Sequence, residues 1–379
     1  MKAETGESIE SIMKIRELHT DREIREFVKF PQKLYKYTPY YVPSLLKEDI
    51  FTLTRHPALE FCERRLWLAF REDRIVGRIA GIINHRANEL RGEQRIRFGW
   101  FDVENDPEAA QALLQQVEQW GKEQGLVIVS GPSRYSNMEK QGVLIDGFGE
   151  MPSLSCEYNH PYYPQLLELL NYQKEVDYLQ YKIPVGEIPK RMEQLSKRIA
   201  ERYDITLKNF NSKKELLHFA RQFFLAMNES FQHIYNFIPL TDSEIDYLIE
   251  HNFAIVDKDL VGVLVDQNDE IVGFSLSMPS LNRAFKKADG RLFPFGWLPV
   301  LRSLRKNDSV DLILTGVLPE WIPKGIHAVY HYHLHKMFIE KGFRYAITNQ
   351  QLEDLTASRI WEKYNGEVVA RRRCYCKVI

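Results

Sequence analysis

The chain has 379 residues, of which 44% are hydrophobic and 27% are charged, the composition of an ordinary soluble protein with room for two or three domains. Its 51 Lys and Arg residues nearly cancel its 52 Asp and Glu residues, so no overall field draws it to nucleic acid or to an anionic lipid surface. There is no apolar run long enough to span a bilayer and no signal-peptide pattern, so we expect a cytoplasmic protein.

An alternating strand followed by a helix start opens the chain, and the same order returns in its second half. Residues 15–27 carry the segment TDRE (20–23), and residues 207–219 carry SKKE (212–215). A Thr or Ser placed three residues before a Glu is the capping-box pattern that begins a helix. Both segments therefore predict a strand and then a capped helix.

Two strand segments and two helix segments repeat next, in the same order. DRIVGRIAGI (73–82) matches DEIVGFSLSM (269–278) at an offset of 196 residues, and QQVEQWGKEQGLVIVSG (115–131) matches YHLHKMFIEKGFRYAIT (332–348). Each member of the second pair predicts an amphipathic helix that ends at a glycine and leads into a strand.

The last matching blocks, 166–183 and 360–379, complete two copies of one α/β unit. We therefore predict tandem units over 1–186 and 187–379, each a mixed, mostly antiparallel sheet flanked by helices. Unequal offsets place one insertion before the long helix of the second unit and another after the fifth strand of the first.

A short motif near the C-terminus narrows the fold. The segment DLTASRIWEKYNG (354–366) has an alanine three positions after its first residue and Ile-Trp-Glu-Lys from the sixth. With the element order, it resembles the GNAT superfamily of acyl-CoA-dependent N-acyltransferases, whose members often have Asn, Ala and Leu-Tyr-Glu-Lys at these spacings. The sequences of 30–43 and 316–326 are similar to those of a bacterial family of tandem-GNAT proteins. That family has a loose likeness to bacterial ceramide synthases, which N-acylate a long-chain amine.

This resemblance implies an acetyl-CoA or longer acyl-CoA co-substrate at the turn before a long helix, where backbone N–H groups and the helix N-terminus hold the pyrophosphate. The GNAT signature for that turn is Gln/Arg-x-x-Gly-x-Gly/Ala, and Ile322, Gly325 and His327 stand on those positions. Only Gly325 matches, and an ordinary strand-to-helix turn is the alternative. The predicted cofactor contacts within 317–328 are Val317, Leu318, Lys324, Gly325, Ile326, His327 and Ala328.

The corresponding turn of the first unit, FDVENDPEAAQALL (101–114), looks unsuited to an anion. Asn105 or Asp106 is expected to cap the helix, with Pro107 as its first residue. The turn has no glycine, and its four carboxylates are expected to repel a pyrophosphate: Asp102, Glu104, Asp106 and Glu108. We predict that this unit is structural or shapes the acceptor cleft.

Acyl transfer to an amine needs a base for the amine, a donor to the thioester carbonyl and an acid for the thiolate. In GNAT enzymes these are commonly a Glu or water, a backbone N–H of the fourth strand, and a Tyr. The usual Tyr position is Trp361 here and Leu167 in the first unit, so Tyr364 is the nearest substitute, or else a packing residue. The candidate bases, each of which fits a surface carboxylate equally well, are Asp311, Glu320 and Glu353.

Three histidines, His327, His331 and His335, lie four residues apart on the predicted long helix. That spacing allows metal chelation, but no carboxylate or cysteine completes a metal signature nearby. We expect these side chains to hydrogen-bond beside a buried face and predict no metal. His331 or His335 as the base is a further alternative.

The insertion in the second unit, 281–308, is rich in cationic and aromatic residues. Such a mixture suits a lid over an acyl chain or peripheral contact with an anionic lipid surface. The alternative is a structural cover whose aromatic residues pack on the sheet.

The sequence thus favours acyl-CoA-dependent N-acyltransfer to a small-molecule or lipid-like amine in the cleft between the units. Two alternatives stay open: an aminoacyl-tRNA-dependent transferase of the tandem-GNAT type, and a non-catalytic ligand-binding module. The near-neutral charge argues against a nucleic-acid partner.

Overall fold

The computed structural model describes residues 13–251 and 253–379, with the side chains of 254 and 356–359, and so Ala357 of the GNAT-like motif, outside the description. Its elements form two successive sets. The first comprises β1 (Met13–Glu17), α1 (Asp21–Leu34), α2 (Leu46–Arg55), β2 (Cys62–Arg71), β3 (Arg74–Asn84), α3 (His85–Arg91), β4 (Arg95–Val103), α4 (Pro107–Glu123), β5 (Ile128–Gly131), β6 (Val143–Asp146), α5 (Tyr163–Leu169) and β7 (Gln173–Pro184). The second comprises α6 (Lys190–Tyr203), β8 (Thr206–Lys208), α7 (Lys213–Ser230), α8 (Asp242–His251), β9 (Val261–Val265), β10 (Ile271–Pro279), α9 (Asn282–Ala288), α10 (Trp297–Arg305), β11 (Ser309–Val317), α11 (His327–Glu340), β12 (Tyr345–Thr348), β13 (Gln351–Leu352) and β14 (Glu367–Val378).

Within the described residues, fourteen strands form one continuous sheet. Strands β1 to β5 lie side by side from one edge, and β8 to β12 do so from the other. In each set the first four strands are antiparallel neighbours, whereas the fourth and fifth are parallel. The predicted mixed, mostly antiparallel α/β architecture of two tandem units is confirmed.

The last strand of each unit crosses to the other unit. β14 lies between β5 and β7, and β7 lies between β14 and β12. The first unit's fifth strand, β5, therefore pairs with β14, the last strand of the second unit. The second unit's fifth strand, β12, pairs with β7, the last strand of the first. β7 and β14 pair antiparallel along most of their length, while β6 pairs with β14 and β13 with β7. The sequence repeat does not predict this exchange.

Helices cover both faces of the sheet because each has one apolar stripe to bury. In the first unit α4 and α5 pack on one face, and α1 and α2 on the other. In the second unit α11 and α6 share a face, and α7 and α8 cover the opposite one. None of the helices in the described part of the chain combines the length and apolarity needed to cross a membrane.

Local signals set the helix ends largely as expected. The Thr20 side chain accepts from the Glu23 N–H, and Glu23 accepts in return from the Thr20 N–H, which completes a capping box. Gly125 and Gly342 follow the two long helices with φ of 70° and 77°, the left-handed conformation that glycine adopts without strain.

The segment before α11 differs from the expected simple turn. Residues Pro319–Lys324 form a short 3-10 helix that ends at Gly325, whose φ is 68°. α11 starts two residues later, at His327, so Pro323 lies inside the 3-10 helix and not at the first position of α11. The motif at 354–366 also contains a 3-10 helix, Thr356–Tyr364.

The exchanged strands should make the two halves interdependent. Separate fragments 1–186 and 187–379 each lack the neighbour of their own fifth strand, so we expect each to show little stable sheet by circular dichroism. Mixed together, they should regain the spectrum of the whole chain and elute as one complex. Two fragments that fold fully as separate monomers would contradict this prediction.

Candidate active site

β11 leaves its parallel neighbour β12 halfway along its length. The two strands pair over 309–312 and 345–348 and no further. At that point β11 carries one extra residue, Ile313, relative to the ladder of β10, and such a bulge bends a strand. Beyond it, residues 313–317 are half-exposed although β11 lies inside the sheet. The divergence therefore leaves an opening along β11.

The opening presents backbone amides of β11. The Leu318 N–H, just after β11, donates to the carbonyl of Val272 on the neighbouring strand β10, with 3.0 Å between nitrogen and oxygen. Because successive N–H groups of an extended chain point to opposite sides, the Val317 N–H points away from β10 and into the opening. This amide is a candidate donor to an extended ligand that lies along β11.

The matching position in the first unit is filled by protein. β4 also bulges, at 100–101, but it is buried along nearly its whole length. The Val103 N–H donates to the Tyr163 hydroxyl at 2.8 Å, and the Tyr162 hydroxyl donates to the Val103 carbonyl at 2.7 Å. The first unit thus satisfies internally the fourth-strand backbone that the second unit leaves open.

The carboxylates of the first unit's turn are not free charges, which corrects the expectation that they repel an anion. Asp106 caps α4 by accepting from the Glu108 and Ala109 N–H groups, and Pro107 is the first helical residue, as predicted. The helix N-terminus is therefore already occupied by a carboxylate. Each of the four has an arginine partner: Arg78 for Asp102, Arg74 for Glu104, and Arg71 for Asp106 and Glu108.

The N-terminus of α11 in the second unit is open by comparison. No side chain caps it, and its cap position is Ile326. Its first turn contains no acidic residue, so no carboxylate of that turn neutralises the positive end of the helix dipole. The Ala328 and Val329 N–H groups bond the Gly325 and Ile326 carbonyls in a tight turn. The predicted phosphate-binding residues are brought together at this point.

Two cations and one neutral imidazole surround that helix end. The Lys324 ammonium lies 3.4 Å from the centre of the Trp321 ring and 5.7 Å from that of Tyr203. Burial, and then the charge of nearby Lys363, lower the pKa of His327. His327 is therefore uncharged at neutral pH, and the positive charge of this turn comes from the lysines.

Tyr364 sits in an aromatic cluster beside α11. Its hydroxyl lies 3.2 Å from Nδ1 of His331, and the His331 ring stacks on Trp361 at 5.2 Å. Burial, with smaller effects of the neighbouring histidines, lowers the pKa of His331 to about 3, and burial raises the pKa of Tyr364 to about 12. At neutral pH the imidazole is neutral and the phenol keeps its proton.

The other expected site residues lie elsewhere. His335 contacts the Gly186 carbonyl at 2.8 Å, and in the described part of the chain no three His, Cys, Asp or Glu side chains are grouped closely enough to hold a metal ion. Glu353 accepts from Arg371 at 2.6 Å and lies 3.5 Å from Lys174. Glu320 is exposed.

Asp311 is the buried carboxyl of the opening. It lies on β11 just before the bulge, with only 2% of its surface exposed. Oδ2 accepts from the Leu154 N–H at 3.2 Å, whereas Oδ1 has no hydrogen-bond partner among the described residues. Burial raises the pKa of Asp311 to about 6, against the smaller opposing effects of the bonds from Leu154 and Ser280. A carboxyl with this pKa exchanges a proton near neutral pH.

A loop of the first unit closes over this part of the second unit. The Leu154 N–H reaches Asp311, and the Ser155 hydroxyl lies 2.6 Å from the Asn349 carboxamide oxygen. The Gln350 side chain donates to the Gln141 carbonyl at 2.7 Å. The loop belongs to the insertion after the fifth strand, so the unequal repeat offsets were the only sequence signal for it.

The same region contains buried polar atoms that lack a hydrogen-bond partner. Polar atoms buried in this way are costly unless water or a ligand satisfies them. Among the described residues, those on the loop, the central strands and β10 are Arg134 Nε, Asn137 Oδ1, Glu139 Oε2, Gln141 Oε1, Glu175 Oε2, Tyr178 Oη, Ser277 Oγ, Asp311 Oδ1 and Arg372 Nε. Sequence analysis identified only Asp311 among them.

Solved structures share this architecture over nearly the whole chain. A tandem GNAT protein from the clavulanic acid biosynthesis pathway covers 97% of the chain and 98% of its own length, with a TM-score of 0.57 and 10% sequence identity. A GCN5-related N-acetyltransferase from Sphaerobacter thermophilus covers 97% and 95%, with a TM-score of 0.52 and 14% identity. The chain therefore has the tandem GNAT fold, and the resemblance found in the sequence is confirmed.

Two curated proteins are similar at the level of sequence. Protein YghO of Escherichia coli (strain K12) is 28% identical over 316 residues, which span 81% of this chain and 79% of that protein. Bacterial ceramide synthase of Caulobacter vibrioides (strain NA1000 / CB15N) is 26% identical over 310 residues, or 79% and 78%. No family model matches the chain.

The raised pKa of Asp311 has a consequence for stability. Its folded pKa of about 6 exceeds the ordinary value of 3.8, so the folded state holds the proton more tightly and the free energy of unfolding falls as pH rises from about 4 to about 6. Two pKa units correspond to roughly 3 kcal/mol. We expect Asp311→Asn to remove this loss and to be the more stable protein at pH 8 in urea titrations.

Asp308→Asn is the matched control. Burial, the largest single influence, acts to raise the pKa of Asp308, but Arg283 and Ser309 together lower it below the ordinary value, so this substitution should reduce stability at pH 8. If Asp311→Asn is no more stable than the parent chain at pH 8, the claim that folding raises the pKa of Asp311 is wrong.

Proposed function

We propose that the protein is an acyl-CoA-dependent N-acyltransferase that binds acyl-CoA once, in the second unit, and acylates an amphiphilic amine held between the units. The observation that carries this proposal is the opening along β11 beside the buried carboxyl of Asp311. The fold, which is that of known N-acetyltransferases, supports the reaction class.

The residues of the second unit fit an acyl-CoA. The half-exposed edge of β11 offers amides to a pantetheine chain and a thioester carbonyl, and the uncapped α11 N-terminus suits a pyrophosphate. Lys324 and Lys363 add positive charge. In the first unit Tyr163 and Asp106 occupy the two equivalent positions, so a second molecule has no place there.

When bound, acyl-CoA supplies the acyl group as an activated thioester. Asp311 takes a proton from the acceptor ammonium, which frees the nitrogen lone pair for attack on the carbonyl carbon. A backbone N–H of β11 that faces the opening donates to the carbonyl oxygen as negative charge develops on it. The Thr315 N–H is the candidate, because it points to the same side as that of Val317 and lies nearer Asp311. The new C–N bond replaces the C–S bond.

The thiolate that leaves needs a proton. Tyr364 is the candidate donor because its pKa of about 12 keeps it protonated. The phenolate then takes the second proton that the nitrogen loses as the amide forms, which restores Tyr364, and the proton on Asp311 is released to solvent at neutral pH. Glu353, which is held by Arg371, has no part in this scheme.

An amine with a polar head and an apolar body fits the acceptor side best. The unpartnered polar atoms near Asp311 suit an ammonium and hydroxyl groups. Half-buried apolar side chains adjoin them on the same face of the second unit: Met138, Ile234, Ile313, Leu314 and Leu318. The similarity to a protein named bacterial ceramide synthase supports a long-chain amino alcohol as the first acceptor to test.

Calorimetry with CoA should report one site per chain. A charge-assisted contact to phosphate contributes on the order of 1–3 kcal/mol, so Lys324→Glu should weaken binding about tenfold or more. His327→Glu should weaken it too, although an acidic residue in the first turn favours the helix itself. Gly325→Val is a poorer test because its φ of 68° strains any residue with a side chain.

Lys214→Glu is the matched control for charge, because Lys214 lies exposed in the first turn of α7 on the other face of the sheet. The affinity of the Lys214→Glu variant for CoA should equal that of the parent chain. Two equivalent sites, or full affinity in both Lys324→Glu and His327→Glu, would show that the cofactor is wrongly assigned.

Turnover should depend on Asp311 and on pH. Loss of a general base costs about 10²–10⁴-fold, so Asp311→Asn should lower kcat/KM by that factor while Asp308→Asn has little effect. For the parent chain kcat/KM should rise with pH through about 6. The measurement is thiol release from acyl-CoA with a long-chain amino alcohol, with the amide product identified by mass spectrometry.

Tyr364→Phe should lower kcat with little change in KM, since the phenol acts on the leaving group. CoA binding without thiol release for any amine would instead favour a ligand-binding module. Thiol release that is equal in Asp311→Asn and the parent chain would rule out Asp311 as the base.

A further inference from the structure

We infer that the segment 281–308, here called the basic arm, docks the protein on an anionic lipid surface. The arm joins β10 to β11 and contains α9 and α10. It is distinct from the opening along β11, and its role goes beyond the proposed reaction.

The arm exposes its largest apolar side chains to solvent. Phe293 and Phe295 are 73% and 72% exposed, and Trp297, Leu298 and Leu301 are about 40% exposed. An insertion that only covered the sheet would bury these rings, as the sequence alternative supposed. Exposed aromatic and aliphatic side chains at one place mark an interaction surface.

Helix α10 turns an apolar face outward. None of its residues is buried, and the most exposed ones are Trp297, Leu298, Leu301, Arg302 and Arg305. These positions fall within one side of a helix with 3.6 residues per turn. A face that mixes aromatic, leucine and arginine side chains is typical of helices that lie in the plane of a membrane surface.

The charge of the arm is strongly one-sided. It has seven Lys and Arg residues against two Asp, a net charge of +5 in a chain whose net charge is −1. Arg283 pairs with Asp308, and Lys286 is used to hold the arm in place. The remaining five are exposed beside the apolar face: Lys287, Arg291, Arg302, Arg305 and Lys306.

The arm is fixed to the first unit next to the loop between α1 and α2. Lys286 donates to the Thr38 carbonyl at 3.3 Å, and the Leu46 N–H donates to the Gly290 carbonyl at 3.0 Å. A β-carbon at Gly290 would meet the Gln32 side chain and the Ser44 carbonyl. The exposed rings therefore stand on an anchored segment.

An anionic lipid surface is the occupant that this chemistry favours. The basic groups are attracted to acidic headgroups at about 1 kcal/mol each, and the aromatic rings settle at the interface. A second copy of the chain would bring two arms of net charge +5 together, because a two-fold interface meets itself.

Vesicle sedimentation with the whole chain tests the inference. The purified protein should bind vesicles of phosphatidylglycerol and phosphatidylcholine in equal amounts, and not pure phosphatidylcholine, with binding that weakens as salt rises. Phe293→Ser with Phe295→Ser should reduce the partition coefficient about tenfold or more. Arg302→Glu with Arg305→Glu should do the same.

Matched controls separate the arm from general surface properties. Leu90→Ser with Leu169→Ser removes two other exposed apolar side chains, and Arg191→Glu with Arg198→Glu reverses two exposed charges on α6. Both should bind vesicles as the parent chain does. Absence of binding, equal binding by the arm variants, or a dimer that the arm variants convert to a monomer would each overturn the inference.

Discussion

The pairing of β7 with β14 is the constraint on which the rest of the structure depends. β14 ends the second unit but lies next to β5 of the first, and β7 ends the first unit but lies next to β12 of the second. The two strands are also neighbours of each other. The two units therefore cannot separate without breaking one of the two longest antiparallel ladders of the sheet. This shared centre also brings the loop over 132–160 of the first unit onto β11 of the second.

With the units held in that way, identical architecture has produced two different sites. Both fourth strands bulge and diverge from their parallel neighbours, so both create a space. In the first unit Tyr163 fills it and Asp106 caps the adjacent helix, so the Val103 amide and the N-terminus of α4 are already bonded. In the described residues of the second unit no tyrosine fills the space and no carboxylate caps the helix, so the backbone of β11 and the N-terminus of α11 stay accessible.

The buried carboxyl of Asp311 reflects a compromise between stability and chemistry. A neutral side chain there would suit the interior better, because burial opposes the charged form. The first unit contributes one bond, from Leu154, and leaves Oδ1 without a partner. The same burial that costs stability at neutral pH gives the carboxyl the pKa that a base needs. The basic arm adds a separate surface, which we propose docks on anionic lipid.

Sequence alone determined the repeat, the order of elements and several helix ends, because capping boxes, glycine stops and apolar stripes act over a few residues. It also singled out Gly325, Lys324 and Asp311. Only the tertiary structure decided that the last strands are exchanged, since β7 and β14 present similar edges to either partner. It likewise decided that Tyr163 closes one opening, that Asp102 and its neighbours are paired with arginines, and that Leu154 meets Asp311. These are contacts between distant segments, and no local pattern encodes them.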